Sequence, residues 1–115
     1  MLADDFVRAH HMLDAAREAM AFAAGRSRQH LDRDRMLALA LLKCIEIVGE
    51  AAGQTSQGFQ KSHPQVPWAD MIGMRNRLVH GYFDIDLDRV WDTVTDDLPP
   101  LVGQLQSILE EEESG

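Results

Sequence analysis

Cysteine is almost absent from this sequence: Cys44 is the single thiol, it has no partner for an internal disulfide, and the fold therefore needs no oxidising compartment. There is no apolar run near the roughly 18 residues that cross a bilayer. Nor is there a cationic start followed by an apolar stretch, so the chain reads as cytoplasmic and soluble, with no membrane role. Strict alternation of apolar and polar residues is missing, which argues against strands, and no internal repeat or domain boundary appears. Basic residues are scarce in the last third. Residues 84–115 carry Arg89 against ten Asp and Glu, whereas residues 1–83 carry ten basic and nine acidic side chains. The net charge of −8 thus divides into −9 and +1. That bulk field repels nucleic acid and anionic membrane, so contact with either must use a local site.

What is present suits one helical domain over residues 1–115, in which 45% apolar residues can build a core without staples. Leu2, Phe6, Met12, Leu13, Ala16, Met20 and Ala23 recur at helical spacing and predict a first helix that closes at Gly25. Asp32 or Asp34 caps a second, whose stripe runs through Leu37, Leu41, Cys44, Val48 and Ala51 and whose apolar first half makes it central. Residues 53–66 read as the one long connection. Pro67 opens a third helix that ends near His80 with Gly81 just beyond. Asp86 caps a fourth, and Pro99 and Pro100 kink or restart it. The expected architecture is an all-α antiparallel up-and-down bundle of four to five helices, with Glu110 to Gly115 a frayed acidic tail.

The third helix is chemically the most informative. On a wheel, Trp68, Met71, Ile72, Leu78, Val79 and Tyr82 form an apolar stripe with Arg75 inside it. A guanidinium left dry and alone there costs several kcal/mol, so it must be paired or engaged with a ligand. Glu46 and Glu50, four apart on the central helix, share a face, and either offers a bidentate carboxylate. Without an arginine nearby they would themselves be candidate acids or bases. The opposite face presents Gly73, Asn76, Arg77 and His80, a polar site or a plain helix end whose histidine offsets the dipole. Arg26, Arg28, Arg33 and Arg35 crowd the first connection with only Asp32 and Asp34 to oppose them, and either hold phosphates or are solvated. His10, His11 and His63 lack the spacing of metal ligands, and no metal is expected.

The segment from Trp68 to Leu101, with M-R-N-R-L-V-H-G-Y at its heart, closely resembles the HepT-like toxins of the HEPN superfamily. I-E-I-V-G-E-A-A at 45–52 and L-D-A-A-R-E-A at 13–19 are similar to the same family, so the likeness covers nearly the whole chain. Its most specific part is Arg, four residues, His, one residue, Tyr, matched by Arg75, His80 and Tyr82. The resemblance implies a HEPN/nucleotidyltransferase-substrate-binding-like bundle forming a symmetric dimer, with the two motif helices meeting at a cleft. It implies a metal-independent endoribonuclease, without cofactor, acting as the toxin of a type II toxin–antitoxin pair on an RNA such as tRNA or mRNA. It further implies an MntA-type minimal nucleotidyltransferase antitoxin that transfers AMP onto Tyr82. The alternative is a non-catalytic partner that positions something for such a nucleotidyltransferase.

For RNA cleavage, an imidazole titrating near neutral pH suits His80 to proton transfer, and a permanently charged planar fork suits Arg75 to holding phosphate. The expected product carries a 2′,3′-cyclic phosphate. On one helix, however, Arg75 and His80 point about 140° apart. Either the helix unwinds near Gly81, or a symmetric dimer sets Arg75 of one chain beside His80 of the other. Asn76 orients the imidazole or touches the phosphate, and Arg77 tracks the RNA backbone or makes a surface ion pair. AMP on Tyr82 would add negative charge and bulk where RNA should lie. The acidic last third favours a folded RNA over an unstructured one.

Overall fold

A computed structural model of the chain describes residues 2–81 and 84–114. Helix α1 spans Ala3–Ala23, the short α2 His30–Arg33, and α3 Arg35–Gly53. A second short helix, α4, covers Gln57–Ser62, and α5 covers Trp68–Leu78. A two-residue hairpin follows, β1 (Val79–His80) with β2 (Asp84–Ile85), and then α6 (Leu87–Asp92). A π-helical turn at Thr93–Asp97 leads into α7 (Leu98–Ser114). α3 packs between α1 and α5, and α7 lies along α1. The extents of 46 × 29 × 19 Å are those of a slab about two helices thick. Among the described residues, no helix is long and apolar enough to cross a membrane.

Side-chain ties fix the directions. Asp5 near the start of α1 accepts hydrogen bonds from Ser56 N and Oγ, both 2.7 Å, just past the end of α3. His10 lies 3.9 Å from Glu113 near the end of α7, and Glu46 and Gly49 of α3 meet Arg75 and Met71 of α5 in reverse order. Each neighbouring pair is thus antiparallel, and the expected all-α antiparallel bundle is seen in the four long helices α1, α3, α5 and α7, while the short α2, α4 and α6 and the hairpin take the chain beyond the four to five helices expected. α1 buries a row of small residues, Ala9, Ala15, Ala16, Ala19 and Ala23, which lets α3 lie close. The larger core side chains come from α3 (Leu41, Ile45, Val48) and α7 (Leu98, Leu101, Leu105, Ile108). Burial pushes the Cys44 thiol up to about 11, with Glu18 beside it adding to the effect, so this thiol stays protonated and unreactive.

Local chemistry explains the boundaries. Gly25, just past α1, has φ +74°. Asp34, rather than Asp32, caps α3 by accepting from Leu37 N at 3.0 Å, and that bond, helped by Arg26, holds its carboxyl below the usual range. Asp86 caps α6 through Arg89 N at 3.1 Å. The stretch 53–66 is not an irregular connection. Ser56 caps α4 by accepting from Phe59 N at 3.1 Å, and Phe59 packs on His63 and Trp68. Pro67 sits one position before α5, as its N-cap. The proline pair does restart the last helix, by way of the π turn: Leu98 N–H donates to the Thr93 carbonyl five residues back, and Pro99 and Pro100 fall in the first turn of α7.

α3 and α5 touch at Gly49. A Cβ built there would meet the Met71 carbonyl oxygen at 2.9 Å, a backbone atom that cannot step aside alone. Gly103 on α7 has nothing within 4 Å of the same position. Gly103→Ala should therefore raise stability by up to about 1 kcal/mol, the helix-propensity gain. Gly49→Ala should lower it by about 1–3 kcal/mol despite that gain, because it overpacks the crossing. Thermal unfolding of both variants checks this, and a stabilised Gly49→Ala would refute the close crossing.

Candidate active site

The end of α5 arranges the site. Trp68, Met71, Met74 and Leu78 form its buried stripe, with Met74 in the place expected for Ile72, which is 43% exposed. Arg75 lies at the rim of that stripe and not inside it, with 58% of its side chain exposed. Its Nε–H donates to Glu46 Oε1 at 2.9 Å, a single hydrogen bond instead of the bidentate fork expected. Both Nη nitrogens are left without a described partner on a side chain that is mostly exposed. Lys43 Nζ stands 4.0 Å from Glu46 Oε2, so one carboxylate sits between two cations. Glu50 is exposed and pairs with no cation among the described residues. Arg75, Asn76, Glu46 and Glu50 line a common concavity of about 220 Å³, into which Lys43 also reaches.

His80 is not on the helix, contrary to the expected span. α5 stops at Leu78 because Val79 adopts an extended backbone (φ −125°, ψ 123°) and pairs with Ile85 while His80 pairs with Asp84. Asp86 N donates to the Leu78 carbonyl at 2.7 Å and closes the hairpin, whose turn opens at Gly81 with φ +78°. That conformation is what glycine supplies. The strand logic decides which way the imidazole faces: Val79 and Ile85 pack against the core, so His80 and Asp84, on the other face, are exposed. The helical-wheel separation of Arg75 and His80 therefore does not apply. The helix does unwind, one residue before His80, yet His80 is not among the residues lining the Arg75 concavity, and no hydrogen bond joins the two. Tyr82 lies outside the described residues.

Arg77 parts company with the others. Its Nη2 donates to Asp70 Oδ1 at 3.2 Å, and it lines a separate cavity of about 580 Å³ between α5, the π turn and α7. Asp92, Asp96 and Asp97 of that cavity surround it with negative charge, and Gly73 lies beside it, 3.7 Å from Arg77 Nη2 as a Cβ would be. So Asn76 shares the Arg75 side of α5, and the predicted polar face of Gly73, Asn76, Arg77 and His80 is split three ways. Burial, followed by the charges of Asp96, Asp70 and Asp92, raises the Asp97 carboxyl above the usual carboxylate value. Among the described residues no group of three or more His, Cys, Asp or Glu is placed to hold a metal ion. Sequence reasoning missed the hairpin, which is too short for alternation to register, and the Gly49 contact. The signal for the latter was present: a glycine kept mid-helix at a propensity cost of about 1 kcal/mol.

Residues 12–108 match the model of a family described as Ribonuclease HepT-like. Among similar proteins, the "Probable ribonuclease HepT" of Thermococcus cleftensis is 36% identical over 75 residues, covering 65% of this chain and 68% of that protein. "Putative RNase TTE0752" of Caldanaerobacter subterraneus subsp. tengcongensis is 31% identical over 102 residues, covering 89% of this chain and 91% of its own. No solved structure matches the chain.

The raised Asp97 value has a consequence for stability. The folded protein disfavours the carboxylate, so the stability this group contributes is fully present below about pH 3.9, while it is protonated, and is lost as pH rises through its folded-state value. Asp97→Asn should therefore raise stability at pH 7, by less than about 1 kcal/mol for a solvent-screened group. The gain should shrink towards zero at pH 3. Chemical denaturation at the two pH values measures it, and a gain of equal size at both would contradict the assignment.

Proposed function

The chain belongs to the HepT-like ribonuclease family, and on that footing we propose that it is a metal-independent endoribonuclease, the toxin of a type II toxin–antitoxin pair. The observation that carries the reading is the exposure, on consecutive short elements, of an oriented guanidinium and an outward-facing imidazole at the motif spacing. Arg75 and His80 are the catalytic residues. Glu46 fixes Arg75 through Nε and leaves the Nη face for a phosphate, which makes Glu46 a positioning residue. Asn76 stands in the same concavity and contacts the phosphate, and Glu50 flanks it. Arg77, held by Asp70 in an acidic setting, contributes at most a distant share to RNA binding.

Two copies complete the site. A symmetric dimer pairs each surface with its twin, so Arg75 of one chain meets His80 of the other and two imidazoles share one crevice. One imidazole takes the 2′-hydroxyl proton as the 2′-oxygen attacks phosphorus. The bond to the 5′-oxygen breaks, and the second imidazole, protonated, gives its proton to that leaving oxygen. Arg75 stabilises the charge that builds on the phosphoryl oxygens. The products are a 2′,3′-cyclic phosphate and a free 5′-hydroxyl. With −9 beyond residue 83, a folded RNA such as tRNA, or a structured part of an mRNA, is the favoured substrate. An MntA-type nucleotidyltransferase acts as antitoxin by transferring AMP to Tyr82, two residues from His80, where an added phosphate and adenine would keep RNA out.

Cleavage of a tRNA transcript by the purified chain tests this. His80→Ala and Arg75→Ala should each lower kcat/KM by at least about 10²-fold, the usual range for a proton-transfer group or a transition-state cation. EDTA should leave the rate unchanged. Tyr82→Phe should still cut RNA but escape silencing by the co-expressed nucleotidyltransferase. Equal, residual cutting by wild type and His80→Ala would instead mark the chain as a non-catalytic partner.

A further inference from the structure

The four arginines around the first connection fall into two kinds. Arg28 is held by Asp88 at 2.6 Å and Asp32 at 3.1 Å, and Arg26 by Asp34 at 3.4 Å. Arg33 and Arg35 are exposed and make no ion pair or hydrogen bond with the described residues. Both line one cavity of about 340 Å³. In a continuous helix residues two apart face different ways. The break at Asp34 (φ −121°, ψ 90°), which ends α2 and caps α3, is what lets both residues line the same hollow.

The far wall of that hollow is the hairpin that carries His80. Asp84 lines the cavity and is the direct cross-strand partner of His80, so the imidazole stands one strand away, about 5 Å between Cβ atoms. Two carboxylates reach the cavity, and one of them, Asp32, is already engaged by Arg28. Arg33 and Arg35, neither in an ion pair, therefore share the cavity with one carboxylate in no ion pair, Asp84, and with Asp32, which shares Arg28 with Asp88, so the lining is formally neutral on a chain of net charge −8. Leu31 and Leu87 give the hollow an apolar floor, which strengthens charge interactions at its mouth.

We infer that this cavity is a second phosphate subsite, in which Arg33 and Arg35 take phosphodiester groups of the RNA strand next to the bond held at His80. The inference rests on the ribonuclease reading above and extends it from the scissile phosphate to its neighbours. It also explains how an acidic protein holds a polyanion: the strand runs from the Arg75 and His80 surface over the hairpin to a separate pair of cations. Guanidinium forks suit phosphate oxygens in this role.

Fluorescence anisotropy with a fluorescein-labelled tRNA transcript tests the subsite, on a His80→Ala background so that the probe stays intact. Arg33→Ala/Arg35→Ala should weaken Kd about tenfold at low salt and reduce the slope of log K against log salt by about 1.5, two phosphates at roughly 0.7–0.9 each. Arg17→Ala/Lys61→Ala removes the same charge from two other exposed cations without described partners, and should leave that slope intact. Unchanged binding by the Arg33/Arg35 variant, or an equal loss in both double variants, overturns the subsite while leaving the nuclease reading standing. Failure of the His80→Ala parent to bind the tRNA at all would overturn both.

Discussion

The contact between α3 and α5 at Gly49 governs what the rest of the molecule can do. With no side chain at that position, the Met71 carbonyl comes within 2.9 Å of where a Cβ would stand, and the two helices run antiparallel at close range. One helical turn away, that proximity places Glu46 against Arg75. The ion pair is half exposed, so its contribution to stability is small. Its effect is on conformation: a long, flexible cation is held by one nitrogen, and its remaining donors have no described partner. A bulkier residue at 49 would push α5 away and break the alignment without touching either charged group.

A second constraint is the length of α5. Had the helix run on to Gly81, His80 would have turned away from Arg75. The helix instead ends at Leu78, and the extended Val79 turns inward to pack with Ile85. Strand alternation then turns His80 outward, and Asp86 both closes the hairpin through the Leu78 carbonyl and caps the next helix. Two residues of strand thus convert an unfavourable helical spacing into a surface-facing imidazole. The same hairpin serves as the wall between the proposed catalytic surface and the proposed Arg33 and Arg35 subsite, so one small element separates the scissile phosphate from its neighbour.

Much of this was legible in the sequence, and the exceptions have physical causes. The helical spacing of α1, α3 and α7 and the capping Asp86 emerged because periodicity and caps are local signals, whereas the cap of α3 was narrowed only to Asp32 or Asp34. The choice of Glu46 over Glu50 as partner of Arg75 was not legible, because both lie on one face and only the crossing point decides. Ile72 and Met74 exchanged places for the same reason: the wheel gives the direction of a side chain, whereas packing against α3 sets where the buried arc begins. α4 was hidden because Gln, Gly, Lys and Ser carry little apolar periodicity, and Ser56 with Phe59 was the signal to read. The split of Arg77 from Asn76 depended on Asp70 and the π turn, neither of which spacing reveals.

The central claim is that each site is shared between two chains, Arg75 from one and His80 from the other. Refolding wild-type chains with an equal amount of chains carrying both Arg75→Ala and His80→Ala, so that subunits reassort, tests it most directly. If sites are shared, the half of the dimers that are mixed hold no complete site, and activity falls to about half that of the same wild-type chains refolded alone. If mixed dimers form and the activity does not fall, each chain carries its own site and the shared site is wrong.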